Sequence, residues 1–337
     1  MAICRYVGGF GYVFAWQWES FGIRRIPLLP FLKKRMLPGL TGVGLRPDGV
    51  CVVRVERTTG RPPSVTLVDF RPWGDQGQEK VLARVAADHD LTRSRCTTIL
   101  DPNEYTLLLT EAPDVPPDEL RAAIRWRIKD LIDFHINDAT LDVFDLPGEK
   151  AAGRARSMYA VAARSAAIQK RVDMMTAAGI NLDVIDIPEM AQRNLASLLP
   201  EDAKGIVLLS FTSNGGLITI TKQAEIYLSR SIDIGLDMLT QSQDNAGLFD
   251  RIALEVQRSL DYYDSHFRQA PINTLALAPM PREIPGLVDY LKANLNASVL
   301  TMDLTQLMEC DAQLPPALQS VCLSALGAAL RQEERAL

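Results

Sequence analysis

The residues best arranged for chemistry or recognition lie in "DELRAAIRWRIKDLIDF", Asp118 to Phe134. Arg121, Arg125 and Lys129 recur every four residues, so on a helix they stack in one cationic row. Leu120, Ile124, Ile128, Leu131 and Ile132 recur at helical spacing and form an apolar stripe beside it. Trp126 falls between the two faces. Pro116 and Pro117 suit a first helical turn, and Asp118 and Glu119 suit its dipole. Such a helix packs on its own protein through one face and offers the other to a partner or to water.

Catalytic patterns are scarce elsewhere. No G-x-x-x-x-G-K-[ST] loop, G-x-S-x-G elbow or H-E-x-x-H pair occurs. "VGGFG" near the start lacks the strand–helix context that would make it a phosphate loop. His89, His135 and His266 share no metal-ligand spacing. Tyr262 and Tyr263 are adjacent, so helical geometry turns one inward and one outward rather than both onto a base. The five cysteines (Cys4, Cys51, Cys96, Cys310, Cys322) are far apart, odd in number and without a C-x-x-C, which reads as buried thiols of a reduced, cytoplasmic protein.

Composition sets the class. The chain has 337 residues, 47% hydrophobic and 23% charged, enough for one large or two ordinary globular domains. A net charge of −5 argues against nucleic acid as a partner. Residues 1–37 carry six basic residues against Glu19 alone, leaving the remainder strongly acidic. Tyr6 to Trp16 is apolar but far short of the ~20 residues of a membrane span. This extension reads as a disordered tail or an upstream start; its other reading is a membrane-surface tether through its aromatic residues and "FLKKR".

The elements that would position the helix follow from Gly39 onward. "TGVGLRPDGVCVVRVER" reads as a hairpin turning at Pro47-Asp48-Gly49, and "SVTLVDFRPW" as a third strand. A helix ("GQEKVLARVAADHD"), two strands ("RCTTILD", "EYTLLLTEAP"), the cationic helix and two more strands ("ATLDVFDLP", "RSMYAVAARS") come next. "AAIQKRVDMMTAAGI" is a helix stopped at Gly179, and "NLDVIDIPEMAQRNLASLL" a strand leading into a helix. From Gly205 a second strand–turn–strand–turn–strand run begins, turning at Asn214-Gly215-Gly216. A long amphipathic helix, a strand, a helix and one final helix ("ALQSVCLSALGAALRQ") complete the chain. Two halves thus each open with a three-stranded meander and continue with αβ units, the pattern of a duplicated actin-like (ribonuclease H-like) α/β fold, which a pair of unrelated α/β domains would also give.

The block "ELRAAIRWRIKDLIDFHINDATLDVFDLP", Glu119 to Pro147, resembles the small inserted subdomain of the PilM family of type IV pilus assembly proteins, and most of all its mannose-sensitive haemagglutinin pilus branch, MshI. "PGLTGVGLRPDGV", "AAGINLDVIDIPEMAQRNLA", "EVQRSLDYYDSHF", "PREIPGLVDYLKANL" and "LSALGAALR" follow the family in order, so the likeness runs from about Pro38 to Arg331. It implies an actin-like fold related to FtsA with a small inserted α+β subdomain. The implied divisions are an extension 1–37, a first half 38–112 plus 156–200 onto which helix 316–331 packs back, an insertion 113–155 and a second half 201–315. The same resemblance implies a cytoplasmic scaffold, peripheral to the inner membrane, that grips a cytoplasmic peptide of a single-span, PilN-like platform protein and gathers into a ring. Arg121, Arg125, Trp126 and Lys129 are the candidate partner-binding residues.

Family members of this fold hold ATP through two small-residue turns, two acidic residues near Mg²⁺ and a Gly-Gly pair beside adenosine. Where the family's first turn resembles Asp-Ile-Gly-Ser-Ser-Ser, this chain has Gly44-Leu45-Arg46-Pro47-Asp48-Gly49, and Pro47 lacks an N–H. Where the second resembles Asp-Ile-Gly-Ala-Ser, it has Ser210-Phe211-Thr212-Ser213-Asn214, followed by Gly215 and Gly216. Pro279-Met280 replace the Gly-Gly. Asp186 and Glu189 fall where relatives keep an acid near the metal, although Asp186 equally suits a helix N-terminus. Departure at all three motifs predicts no cofactor and no catalysis. The competing expectation is an ATP-binding protein whose nucleotide state gates assembly, with Arg46 supplying the positive charge where Mg²⁺ is missing. An FtsA-like filament former anchored by residues 1–36 is a third.

Overall fold

Strand β2 (Gly49–Glu56) shows how the sequence builds the first half. Its run GVCVVRVE is almost wholly buried, and its side chains alternate between two cores. Val50 and Val52 join one cluster, while Cys51, Val53 and Val55 join another on the opposite face. Full burial on both faces is what a strand needs at the centre of a sheet covered by helices on each side. This computed structural model describes residues 35–116, 119–147, 156–242, 244–267, 269–310 and 314–332. Residues 1–34 of the expected tail and tether, including Cys4, and the expected helix start at Pro117 and Asp118 lie outside the described residues; at the end of that extension Arg35 and Leu37 bond to Arg93.

The first half contains β1 (Leu40–Leu45), β2, β3 (Ser64–Pro72), α1 (Gln78–Asp88) and β4 (Arg95–Ile99). The insertion contributes β5 (Tyr105–Glu111), α2 (Leu120–Ile128), β6 (Ala139–Asp145) and β7 (Ser157–Arg164). The chain returns through α3 (Ser165–Ala177), β8 (Leu182–Asp186) and α4 (Pro188–Ala196). The second half is β9 (Ile206–Phe211), β10 (Gly216–Lys222), β11 (Glu225–Ile232), α5 (Leu236–Gln241), α6 (Ala246–Phe267), β12 (Thr274–Leu277), α7 (Leu287–Asn294) and β13 (Ser298–Thr301). Short α8 (Leu304–Leu307), β14 (Glu309–Cys310), α9 (Pro316–Val321) and α10 (Leu323–Ala329) close the chain.

Duplication is explicit in the pairing. The first sheet runs β14-β3-β2-β1-β4-β8 and the second β11-β10-β9-β12-β13. Apart from β14, each is an antiparallel meander followed by two parallel strands. The two sheets share a core: Ile206 and Leu208 of β9 join Cys51, Val53 and Val55 of β2, with Leu195 of α4 and Leu326 of α10 in the same cluster.

Helix α10 lies so close to β1 that a Cβ on Gly42 would stand 1.9 Å from the Ala325 carbonyl oxygen, and one on Gly327 would stand 2.3 Å from that of Ala191. Both glycines are therefore dictated by close backbone approach rather than by a turn.

Four expectations need correction. Instead of one final helix there are two, broken at Cys322, whose φ of −97° and ψ of 8° leave the helical region. The cysteines are not all thiols: Cys51 and Cys322 form a disulfide with Cα atoms 5.5 Å apart, because the α9–α10 junction is laid over β2; Cys96 is buried and Cys310 half-buried. The cationic helix ends at Ile128, not Phe134, and Leu131, expected on the apolar face, is 59% exposed. Lastly, the edges expected for the insertion at 113 and 155 fall inside one structural unit, since β5 and β7 flank that segment and pair with each other and with β6 in the third sheet, ordered β5-β7-β6.

Candidate functional site

The inserted sheet reads its sequence by alternation. Met158, Ala160 and Ala162 of β7 point to one face and meet Ile124 and Ile128 of α2. Tyr159, Val161 and Ala163 point to the other and meet Leu100, Ile168, Ile185 and Met190 of the first half. Ile124 and Ile128 are fully buried, each contributing about 2 kcal/mol of apolar transfer. They fix α2 on its sheet, and that fixes where its charged side chains go.

Those side chains do not form one free row. Arg121 donates from Nη2 to Oδ1 of Asp142 on β6 at 3.0 Å, and Asp142 is only 3% exposed. Arg125 donates to the backbone carbonyl of Ile136, pinning the chain as it returns toward β6. Lys129 and Trp126 are turned outward, with the Lys129 ammonium 5.7 Å from the indole centroid and Trp126 71% exposed. With Leu131 they make an exposed amphipathic patch at the end of α2. On the edge strand β5, Leu109 is 46% exposed. Burial pushes the Asp142 carboxyl up to about 6, opposed by Arg121 and by the Val143 N–H that donates to it.

The insertion is tied to the rest of the molecule at a polar junction. Tyr105 of β5 donates its hydroxyl to Glu189 of α4 at 2.7 Å. Burial raises both groups above their ordinary values; the Tyr105 donation pulls Glu189 back and neighbouring Asp186 pushes it further up. The Ser229 N–H of β11 donates to the Tyr159 hydroxyl at 3.4 Å.

Asp186, at the end of β8, faces the C-terminal end of the chain. Arg331 donates to it at 2.7 Å, with side-chain exposures of 1% and 0%. Asp186 also accepts from the Ile187 N–H at 2.9 Å. Of the two acids picked out as metal-proximal, one therefore balances a guanidinium and the other holds a tyrosine.

The two turns are internally bonded. In the first, the Arg46 guanidinium holds Asp48 at 2.9 Å, its N–H donates to the Gly49 carbonyl, and its carbonyl accepts from Trp73 Nε1 at 2.8 Å. In the second, the Thr212 N–H donates to the Gly215 carbonyl, and Ser210 donates to Gln192 at 2.7 Å. Gln192 in turn donates to the carbonyls of Leu208 and Leu217. The turn also receives the Leu236 and Asp237 N–H groups on its Thr212 and Ser213 carbonyls, and a Cβ on Gly235 would meet Ser213 at 2.2 Å. Ser213 and Asn214 are exposed. Pro279 and Met280 are half-buried, and the chain that follows them walls a cavity of about 750 Å³ with Leu239, Asn245, Phe249, Arg282, Ile284 and Tyr290 among its lining.

Residues 112–250 match the family described as type IV pilus assembly protein PilM. That segment is PilM-like. The chain as a whole aligns with a chain of a structure described as the PilM–PilN type IV pilus biogenesis complex at 19% identity and a TM-score of 0.68, covering 87% of this chain and 98% of that one. The cytoplasmic domain of EpsL, an inner-membrane component of the type II secretion system of Vibrio cholerae, aligns at 11% identity and a TM-score of 0.50, covering 87% and 96%. At these identities the likeness establishes the fold, which is the actin-like one. Comparison with curated proteins found no match. In the PilM-like segment lie the whole of α2 and β6, both acids at α4, and the second turn.

Arg331, Tyr105, Gln192 and Asp142 were not legible as site residues. Each acts on a residue distant in sequence or on another element's backbone, and neither spacing nor local composition signals such a pairing. Among the described residues no helix is long and apolar enough to cross a membrane.

Proposed function

We propose that this PilM-like chain is a non-catalytic scaffold on the cytoplasmic side of an inner-membrane pilus platform, of the mannose-sensitive haemagglutinin type. It holds an extended cytoplasmic peptide of a single-span, PilN-like partner and assembles with further copies of itself. The match of residues 112–250 to the PilM family carries this reading. The peptide is received beside the inserted subdomain by strand addition to the outer edge of β5, on which the Glu111 carbonyl accepts from Arg127 at 3.1 Å, with Leu109, Trp126, Lys129 and Leu131 as the exposed side chains of that subdomain. Arg121 and Arg125 serve the same surface indirectly, by fixing α2 against β6.

The residues around the turns do not fit a Mg²⁺-bound phosphate. Such a group needs free N–H donors and unpaired carboxylates. Here Pro47 has no N–H, the Arg46 and Thr212 N–H groups are used within their own turns, and Asp186 is held by Arg331. The competing reading, ATP binding that gates assembly, is favoured by one observation: the cavity of about 750 Å³ that follows Met280.

Two calorimetric titrations test the proposal. A synthetic peptide of the partner's cytoplasmic segment binds the wild-type chain and binds Trp126→Ala/Lys129→Glu at least about tenfold more weakly; equal affinity for both defeats the peptide site. Mg-ATP, and ATP with EDTA, give no heat with folded protein; heat in either places the nucleotide-gated reading first.

A further inference from the structure

A groove on the opposite half of the molecule is left unexplained by a scaffold that grips one peptide at the insertion. It has a volume of about 340 Å³ and runs between β11 and α6. Its lining includes Arg230, Arg251 and Arg258, together with Asp233 and Glu255. Glu255 is held by Arg230 at 3.0 Å and by Arg258 at 2.7 Å. Arg251 is exposed and makes no hydrogen bond or ion pair with any described residue. The floor is apolar, formed by buried Ile232 and Ile234, and Leu254 on the rim is 48% exposed. In a chain of net charge −5 this is a locally cationic surface.

The second observation is the backbone beside it. Among the described residues, strand β11 is the terminal strand of the second sheet and pairs only with β10. Its outward Ser229 N–H is capped by Tyr159, which covers the edge on the insertion side. Beyond Ser229 no described residue bonds the outer edge, which therefore offers unpaired backbone groups at Ser231 and Asp233. An unpaired edge is a template for another extended chain.

We propose that this groove docks an extended acidic segment of a partner protein, which adds to the edge of β11 and sets its carboxylates against Arg251 and Arg258. Charge complementarity selects the occupant. A guanidinium prefers a carboxylate in a forked, two-bond geometry. Arg251 and Arg258 lie seven residues apart on α6, about 10 Å along its axis, and carboxylates at alternate positions of a strand lie about 7 Å apart on one face. Apolar residues between them would meet Leu254 and the Ile232–Ile234 floor. A small anion would need neither the open edge nor the apolar floor.

The test is a selection of twelve-residue display peptides against the full-length chain, followed by fluorescence anisotropy of the winners. Enriched sequences are expected to carry Asp or Glu at alternate positions with apolar residues between them. They are expected to bind Arg251→Glu/Arg258→Glu at least about tenfold more weakly, while that variant keeps the wild-type melting curve. Ser231→Pro, which removes one edge N–H at a position where proline is tolerated, should weaken them as well. Winners without acidic residues, equal binding to the charge-reversed variant, or a selection that returns no binder overturns the proposal. Competition by inorganic phosphate at the concentration of the peptide's own affinity overturns it too, since that would mark a simple anion site.

Discussion

Arg331 reaches back from the end of α10 to hold Asp186 at the end of β8, and both side chains are sealed from water. The pair joins segments 145 residues apart. It fastens the C-terminal helix to the first half and occupies one of the two acids expected near a metal.

A buried pair of this kind costs most when only one member is removed. Asp186→Asn or Arg331→Met should each lower stability by about 3–5 kcal/mol. The double variant should lose less than the sum of the two. Urea denaturation of the three proteins checks this, and strict additivity would show that the pair is not coupled.

Protonation of Asp142 sets a pH dependence. Its folded value of about 6 lies above the ordinary 3.8, because burial penalises the carboxylate more than Arg121 rescues it. Between about pH 4 and pH 6 the native state holds a proton that the unfolded chain has released. Stability therefore falls as pH rises through that window, by up to about 3 kcal/mol. Asp142→Asn should flatten the slope of unfolding free energy between pH 4 and 6; an unchanged slope would assign it to other groups.

The disulfide closes a very long loop, with Cys51 and Cys322 separated by 271 positions. Thiol labelling of the unfolded, unreduced chain should find three of the five cysteines reactive, and reduction should expose all five. On the chain-entropy view, Cys51→Ser/Cys322→Ser should cost roughly 3–5 kcal/mol. Labelling of all five before reduction would rule the bond out.

Close approach of α10 makes Gly42 intolerant of a side chain. Gly42→Ala should cost at least about 1–3 kcal/mol through forced displacement, whereas Gly60→Ala, with no atom within 4 Å of the added Cβ but a φ of +79°, should pay only its backbone strain of about 1 kcal/mol. Thermal melts of the two variants compare a steric clash with a conformational one.

Substitutions along α2 should separate stability from recognition. Trp126→Ala and Lys129→Ala leave exposed positions and should change stability by no more than about 0.5 kcal/mol. Arg125→Ala removes the donor to Ile136 and should cost about 1 kcal/mol. A large loss for Trp126→Ala would mean that the indole is structural.

The strands β2, β7 and β9 and the two meanders were legible because short apolar, β-branched runs bounded by turn residues mark strands, and a repeated architecture repeats its pattern. Local periodicity also placed α2 and the buried faces of Ile124 and Ile128. It could not say that α2 would stop at Ile128, since the stop depends on the chain turning back to β6 under the hold of Arg125 on Ile136. Three cations at four-residue spacing look equivalent in sequence, yet one meets a buried carboxylate, one a carbonyl and one an indole, because what surrounds each is supplied by other elements. Likewise, which residues stand in the two turns was plain in the sequence itself. That Arg331 neutralises Asp186, that Cys322 lies on Cys51 and that β11 is left with an open edge beside three arginines were decided only when the C-terminal helices and the two sheets packed together. Composition and periodicity report a residue's own element; which distant charge, thiol or backbone it meets is a property of packing.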